Sequence, residues 1–238
     1  MNRQKGKQNR LPKKGNAMSK VTRRKFLGAA AGSTMLAVLR PSALFAAQGK
    51  FRLLPSPSTG DSGSLMWALK NRKSTRSFST KPLSQQMMSD LLWAAFGVNR
   101  PDIGFRTAPS PRNSQEIEIY VATATGLYLY DAQFHQLVQL STEDIRSHCG
   151  TQGFVADAPL NLIYVANFSK LGDREDDQKL FYAAADTGFI SQNVYLFCAA
   201  FGLGTVVRDW VDRPALAEKI NLREEQKIIL AQTVGYPN

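Results

Sequence analysis

The stretch from Tyr182 to Val207, YAAADTGFISQNVYLFCAAFGLGTVV, decides the fold of this chain. Its first part belongs to a nearly all-apolar run, Leu180 to Phe201, which is interrupted by Asp186 and by the polar residues 191–193. Polar residues within such a run argue against a membrane span and favour a helix buried in a globular body or at a subunit interface. We favour the subunit interface.

The helix is followed by Gly202-Leu203-Gly204, where we expect a helix C-cap in which one glycine takes positive φ. A strand over Thr205 to Val207 follows. The segment does not predict a dinucleotide-binding loop, because Val207 replaces the third glycine of that motif. The order is also reversed, since the dinucleotide loop leads from a strand into a helix.

The remaining patterns predict helices and strands without regular alternation, which favours an α+β fold over a doubly wound one. Apolar spacing predicts a helix that opens at Pro82-Leu83-Ser84 and stops at Gly97. Asp212 and Pro214 open a short second helix. Strands are predicted over 116–123, over 126–140 as a hairpin, over 160–166 in the middle of a sheet, and over 228–234. The charged segment 172–177 is predicted as a solvated loop or a lid.

The formal charge of +11 in 238 residues is carried by one end of the chain. Residues 1–47 hold eleven of the 30 Lys and Arg residues and none of the 19 Asp and Glu residues, so 30 − 11 = 19 basic residues balance 19 acidic ones from residue 48 onward. A balanced domain has no net field that recruits nucleic acid. We expect one domain over 65–238, preceded by a linker or surface arm over 48–64.

Residues 1–47 have the parts of an export signal. Thr22-Arg23-Arg24-Lys25-Phe26-Leu27 resembles the twin-arginine motif, and Ala46-Ala47 is the expected cleavage region. The uncharged core, Phe26 to Leu39, is shorter and less apolar than a spanning helix needs, so we expect no permanent membrane anchor. The signal predicts use of the twin-arginine export machinery and a periplasmic location, with translation starting at Met1 or Met18.

Several kinds of catalytic site are unsupported by the sequence. The two histidines, His135 and His148, are too far apart for a close-spaced ligand pair, so no metal site is predicted. No GxSxG motif is present for a serine nucleophile. Cys149 follows His148 without a recognisable catalytic motif, and Cys198 lies in an apolar run typical of a buried filler.

Two polar segments are candidates for ligand binding. In the segment Arg72-Lys73-Ser74-Thr75-Arg76, extended geometry places Arg72, Ser74 and Arg76 on one side, where they can converge on a phosphate. The second segment, 106–115, is fixed by two prolines and presents backbone groups and the Asn113 amide. Without a ligand, the first segment is a charged surface and the second is a turn.

Taken together, several motifs in order resemble the FMN-dependent nitroreductase superfamily, and most closely its SagB-type (thiazole/oxazole oxidase-like) branch. The resemblance covers residues 65–237 and rests on RKSTRSF, LLWAAFGVNR, RTAPSPRNSQEIEIYV, GLYLYD, APLNLIYVA, YAAADTGFISQNVYLFCAAFGLGTVV and VGYP. It implies an α+β homodimer with a central, mostly antiparallel sheet flanked by helices and a long buried helix at the dimer interface. Two FMN sites would lie at that interface.

The resemblance also implies roles for residues of the first polar segment. Arg72 and Ser74 would hold the FMN phosphate, with Lys73 contributing through its backbone. Arg76 would lie near the N1/O2 edge of the ring, where a fixed cation stabilises the anionic reduced flavin. Gln152 would reach the pyrimidine edge.

The partner chain and the turn after the long helix would complete the site. Pro109, Ser110 and Asn113 would reach the flavin from the partner chain, with Arg112 near the phosphate or ribityl chain. Gly204 would shape the turn, and Arg208 and Asp209 fall where the family places backbone N–H groups against flavin N5. Trp210 stands in or near a position where many members have glycine, which reduces the room above the ring.

The resulting hypothesis is an exported FMN-dependent oxidoreductase that passes hydride or electrons through flavin N5 to or from a small organic substrate. NAD(P)H or another compound would donate the electrons, and no catalytic acid or base is assigned. Two alternatives remain open: a peptide azoline dehydrogenase, suggested by the SagB-type resemblance, and a non-enzymatic binding protein that has lost the flavin.

Overall fold

The apolar run predicted as a central strand forms β7 (Leu160–Asn167), all of whose residues are buried. It pairs antiparallel with β4 (Ile117–Thr123) on one side and with β9 (Gln226–Gly235) on the other. A strand covered on both faces needs apolar side chains in succession rather than in alternation. The predicted position in the middle of the sheet is therefore confirmed.

The computed structural model describes residues 51–56 and 64–238. Its main sheet has seven strands in the order β1-β6-β5-β4-β7-β9-β8, and every neighbouring pair is antiparallel. Besides β4, β7 and β9, its strands are β1 (Phe51–Leu53), β5 (Gly126–Asp131), β6 (Gln136–Ser141) and β8 (Gly204–Arg208). A separate small hairpin joins β2 (Val98–Arg100) and β3 (Phe105–Arg106). The α-helices of the described residues are α1 (Leu65–Asn71), α2 (Gln85–Phe96), α3 (Phe154–Asp157), α4 (Asp176–Ala200) and α5 (Arg213–Lys219).

Both faces of the sheet are covered by helices, as the alternation along β4 shows. Ile117, Ile119 and Val121 belong to the core formed with α2 and α4. Tyr120 and Ala122 point to the opposite face, into a second core formed with α3 and α5. Successive side chains of a strand face opposite sides, so one strand supplies both cores. The α+β fold is confirmed.

The predicted helix boundaries follow from local hydrogen bonds. Ser84 caps α2, since its hydroxyl accepts the N–H of Met87 at 3.1 Å. Gly97 ends α2, and a Cβ there would lie 2.4 Å from the Trp93 side chain, so only glycine fits. After α4, Gly202 has a φ of +70°, as predicted for one glycine of the C-cap.

Two elements begin earlier than the sequence predicts. The predicted loop 172–177 is only partly a loop, because α4 begins at Asp176 with Asp176 and Asp177 in its first turn. The helix dipole stabilises carboxylates in the first turn. These charged residues are therefore compatible with a helix, although their composition predicts a loop. Within the predicted arm 48–64, β1 pairs with β6, and Leu54 is buried.

The predicted signal peptide over 1–47 lies outside the described residues, as does most of the predicted arm. Among the helices of 51–56 and 64–238, none is both long enough and apolar enough to cross a bilayer.

Candidate functional site

The first polar segment lies against the strand that follows the long helix. The N–H of Thr75 donates to the carbonyl of Thr205 at 2.9 Å, and Ser74 forms a parallel bridge with Thr205. A Cβ at Gly204 would lie 2.8 Å from the Thr75 side chain, so glycine permits this close approach. The segment 72–76 therefore extends along β8.

Tyr195, near the end of α4, contacts both the segment 72–76 and β8. Its ring faces the Arg72 guanidinium, whose central carbon lies 4.9 Å from the ring centre. Its hydroxyl lies 2.9 Å from the Ser74 hydroxyl and accepts the N–H of Val207 at 3.0 Å. Arg72 and Ser74 thus meet around a tyrosine that sequence reasoning assigned to an apolar run, whereas Arg76, the third residue predicted on this side, lines a different recess. A polar-tipped ring two turns before a glycine turn was the available signal.

Two recesses lie along this part of β8. The first has a volume of about 240 Å³ and is lined by Trp67, Asn71, Lys73, Thr75, Tyr195, Cys198, Ala199, Gly202, Leu203, Thr205 and Pro237. The second has a volume of about 340 Å³ and is lined by Arg76, Gln152, Val206, Val207, Arg208, Asp209 and Trp210. The structure therefore places Lys73 in the first recess and Arg76, Gln152, Arg208 and Asp209 in the second.

Two polar atoms near the recesses bear on the fit of an FMN ligand: Gln152 lines the second recess, and Arg72 lies against Tyr195 of the first. Arg72 Nε and Gln152 Oε1 are buried and have no hydrogen-bond partner. Buried polar atoms without a partner are costly, so each position favours a ligand that supplies one. An unpaired donor beside Tyr195 suits a phosphate, and an unpaired acceptor in the second recess suits a ring N–H.

Trp210 stands at the second recess with 68% of its surface exposed. Its carbonyl accepts the N–H of Thr151 at 3.3 Å, which ties the end of β8 to the turn that carries Gln152. Trp210 therefore lines the recess in which the sequence led us to expect less room above a flavin ring.

Arg208 and Asp209 differ in where their side chains go. The Arg208 side chain is 4% exposed, while Asp209 is exposed and forms an ion pair with Arg213 at 2.5 Å. The Asp209 carboxylate is therefore engaged with the start of α5. The predicted roles for both residues concern their backbone N–H groups.

The second polar segment is held in shape by Gln115. Its N–H donates to the Ser110 hydroxyl, and its side chain bonds to Asn113, Gly104 and Arg106. Arg112, Asn113 and Gln115 all have φ between +48° and +56°. Three non-glycine residues with left-handed backbone conformation make this a strained loop. Strained backbone is common at functional sites.

This loop is not joined to the two recesses within one chain. Pro109, Ser110, Arg112 and Asn113 line neither recess and share no hydrogen bond with residues 72–76, across the described residues. Pro109, Arg112 and Asn113 are exposed. Their predicted role was to reach the flavin of a partner chain, and it stays a prediction.

The cysteines are buried and form no described disulfide. Burial raises the pKa of the Cys149 thiol to about 12, although the nearby Arg208 cation opposes the shift. The thiolate is the nucleophilic form of cysteine, so this thiol is unreactive at neutral pH. Cys149 is therefore a structural residue, and the Cys/His pair considered from the sequence has no support.

A family model described as the nitroreductase family matches residues 69–236. The chain belongs to the nitroreductase family. It is an oxidoreductase of that family by this match, and the expectation drawn from the sequence motifs is confirmed at that level.

Individual relatives agree with the family match. A protein of Methanocaldococcus jannaschii named as a nitroreductase is 33% identical over 145 residues, which are 57% of this chain and 73% of the relative. A crystal structure from Ralstonia eutropha, also described as a nitroreductase, is 44% identical, with a TM-score of 0.76 over 79% of this chain and 90% of that one.

A more distant structure shares the fold alone. The NADPH:FMN oxidoreductase from Vibrio harveyi, solved in complex with NAD⁺, is 16% identical. Its TM-score is 0.55 over 73% of this chain and 69% of that chain.

Proposed function

We propose that the protein is an exported, homodimeric oxidoreductase that binds FMN along β8 and transfers hydride or electrons to or from a small organic substrate. The carrying observation is the pair of recesses beside β8, flanked by the unpartnered Arg72 Nε and Gln152 Oε1. The Vibrio harveyi protein of similar fold is an NADPH:FMN oxidoreductase, which supports the choice of FMN and of NAD(P)H as a donor.

The residues divide into two groups by their chemistry. Arg72 and Ser74 would hold the phosphate, with Lys73 contributing through its backbone, because charge-assisted hydrogen bonds to a phosphate are among the strongest in proteins. Arg76 and Gln152 would hold the ring, one by positive charge and one by its amide. When bound, FMN supplies the hydride chemistry. The chain orients it, favours its negatively charged form and limits access through Trp210.

A second copy of the chain is part of the proposal because apolar side chains are left exposed on α4. Phe181 is 69% exposed and Phe189 is 49% exposed, on the helix predicted to lie at a subunit interface. Trp67 of α1, beside the first recess, is 49% exposed. Exposed apolar groups of this size mark interaction surfaces. The partner would bring the 109–113 loop to the flavin.

Export rests on the sequence signal of residues 1–47 alone. A periplasmic location through the twin-arginine route would suit a protein that folds around its cofactor before transport. Because free NAD(P)H is expected to be scarce there, another electron donor is part of the proposal.

The first test concerns FMN binding. Arg72→Ala combined with Arg76→Ala removes two charged partners, and we expect FMN affinity to fall on the order of 100-fold. Titration with FMN, followed by quenching of flavin fluorescence, measures the dissociation constant. Arg223→Ala is the control, because Arg223 is exposed and paired with Glu225 outside both recesses. Wild-type affinity in the double variant contradicts the site assignment.

The same titration of wild-type protein separates the main alternatives. A protein that takes up no FMN is the non-enzymatic binding protein considered from the sequence. If FMN binds, steady-state assays with nitro, quinone and azoline substrates distinguish a general reductase from a peptide azoline dehydrogenase.

The second test concerns the dimer. Phe181→Glu places a charge on the exposed face of α4, and we expect the molecular mass in sedimentation to fall from that of a dimer to that of one chain. FMN affinity should fall with it, because the partner's loop is lost. Phe134→Glu is the matched control, since Phe134 is 70% exposed on the β5–β6 turn. A monomeric wild-type protein that binds FMN at full affinity contradicts the shared site.

A further inference from the structure

Arg208 is a buried cation at the wall of the second recess. Its side chain is 4% exposed and donates three hydrogen bonds, all to neutral acceptors. Nε donates to Thr233 Oγ1 at 3.1 Å, Nη1 to the carbonyl of Cys149 at 2.8 Å, and Nη2 to Asn161 Oδ1 at 3.0 Å. The hydrogen bonds fix the guanidinium but leave its charge uncancelled.

The groups around Arg208 do not supply an opposite charge. Asp144, in the segment before Cys149, is paired with Arg146, and Asp209 is paired with Arg213. The Cys149 thiol stays protonated because burial raises its pKa to about 12. Burial lowers the pKa of Arg208 to about 10, which still leaves it cationic at neutral pH. Within the residues that the structure describes, this cation has no ion-pair partner.

Arg208 also holds the two walls of the second recess together. Its bond to the Cys149 carbonyl anchors the turn that leads to Gln152, and β8 itself supplies the opposite wall. A Cβ on Gly150 would lie 2.0 Å from Arg208 Nη1, so the turn packs directly on the guanidinium. Arg208 therefore belongs both to the lining of the recess and to the cluster that anchors the turn beside it.

We propose that the uncancelled charge of Arg208 makes the second recess bind reduced, anionic FMN more tightly than oxidised FMN. This inference rests on the proposed function. A fixed charge in a poorly solvated position acts more strongly on a neighbouring negative charge than an exposed one does. Arg76 is exposed at the same recess, so solvent screens its charge while that of Arg208 is sheltered.

The test is the reduction potential of FMN bound to the full-length protein, measured anaerobically against a reference dye with protein in excess. Arg208→Gln and Arg208→Met remove the charge, and Arg208→Lys keeps it. We expect the first two to weaken binding of reduced FMN about tenfold more than binding of oxidised FMN, which lowers the two-electron potential by about 30 mV. Arg223→Gln is the control, because Arg223 is exposed and lies outside both recesses.

The expected pattern is a lower potential in the Gln and Met variants and a nearly unchanged potential in the Lys variant and the control. A purely structural role would weaken both forms of FMN equally and leave the potential unchanged, which overturns the inference while the proposed function stands. If wild-type protein binds no FMN, both are overturned. The Gln variant keeps donors for Cys149 and Asn161, so it provides the measurement if the Met variant does not fold.

Discussion

Two clusters of this protein bury ionisable side chains away from water, and the buried groups are satisfied in opposite ways. Arg208 is surrounded by neutral acceptors and makes three hydrogen bonds. Glu116 and Asp186, where α4 meets the start of β4, are 0% and 3% exposed, yet Glu116 Oε1 and Asp186 Oδ2 have no donor. The other Glu116 oxygen accepts the Ser114 hydroxyl at 2.7 Å.

The difference follows from what each group can offer. A guanidinium has five donors and finds acceptors easily, because backbone carbonyls and side-chain oxygens are common in a sheet. A carboxylate has only acceptors, so two carboxylates together need a proton between them. Burial and the neighbouring Glu116 carboxyl raise the pKa of Asp186 to about 8. Arg208 keeps its charge in the interior, whereas the Glu116–Asp186 pair loses one of its two charges by taking up a proton.

The largest expected effect comes from breaking the Arg208 cluster at Asn161. The Asn161 amide oxygen accepts from Arg208 and from the Thr233 hydroxyl, and its nitrogen donates to the Val155 carbonyl. Asn161→Leu keeps the side-chain volume but leaves Arg208, Thr233 and the Val155 carbonyl without this hydrogen-bond partner. We expect the free energy of unfolding to fall by about 3 kcal/mol. Urea unfolding at pH 7 measures it.

A double variant shows whether the stability lost in Asn161→Leu comes from the buried charge of Arg208. Adding Arg208→Met to Asn161→Leu removes the stranded charge, and about half of the lost stability should return, because an apolar replacement of both partners is close to neutral. Arg208→Met alone supplies the remaining corner of the cycle. Additive losses would show that Asn161 acts through Val155 and Thr233 without the cation.

Most of the fold could be predicted because its signals are local. The cap at Ser84, the stop at Gly97 and the apolar run of β7 each reflect contacts within one element or one layer. The start of α4 was misjudged because Asp176 resembles a loop residue by composition but is favoured by position in a first helical turn.

The candidate site was predictable only in part, because periodicity says which face a residue occupies and not which polar atoms meet. The alignment of Arg72 with Ser74 followed from the period of two. Their meeting point is Tyr195, whose hydroxyl contacts Ser74, 121 residues away, and whose ring faces Arg72; nothing in the local pattern indicates it. The same holds for Arg208, whose three partners come from β7, β9 and the turn at Cys149.

A smaller effect is expected at the carboxyl pair, and it depends on pH. The pKa of Asp186 rises from 3.8 in the unfolded chain to about 8 in the folded protein, so the folded state binds this proton more tightly. Its contribution to stability is complete below pH 3.8 and is lost as the pH rises towards 8. Asp186→Asn removes this loss and offers Glu116 a donor. We expect it to stabilise the protein by about 1–2 kcal/mol at pH 8.

The comparison with wild type should be made by urea unfolding at several pH values between 4 and 8. The stability difference between Asp186→Asn and wild type should grow steadily across this range, because only wild type has a carboxyl at this position to ionise. Asp102→Asn is the control, since Asp102 is exposed in the turn between β2 and β3 and should leave the pH profile unchanged. A constant difference at all pH values would mean that Asp186 does not carry the proton of the pair.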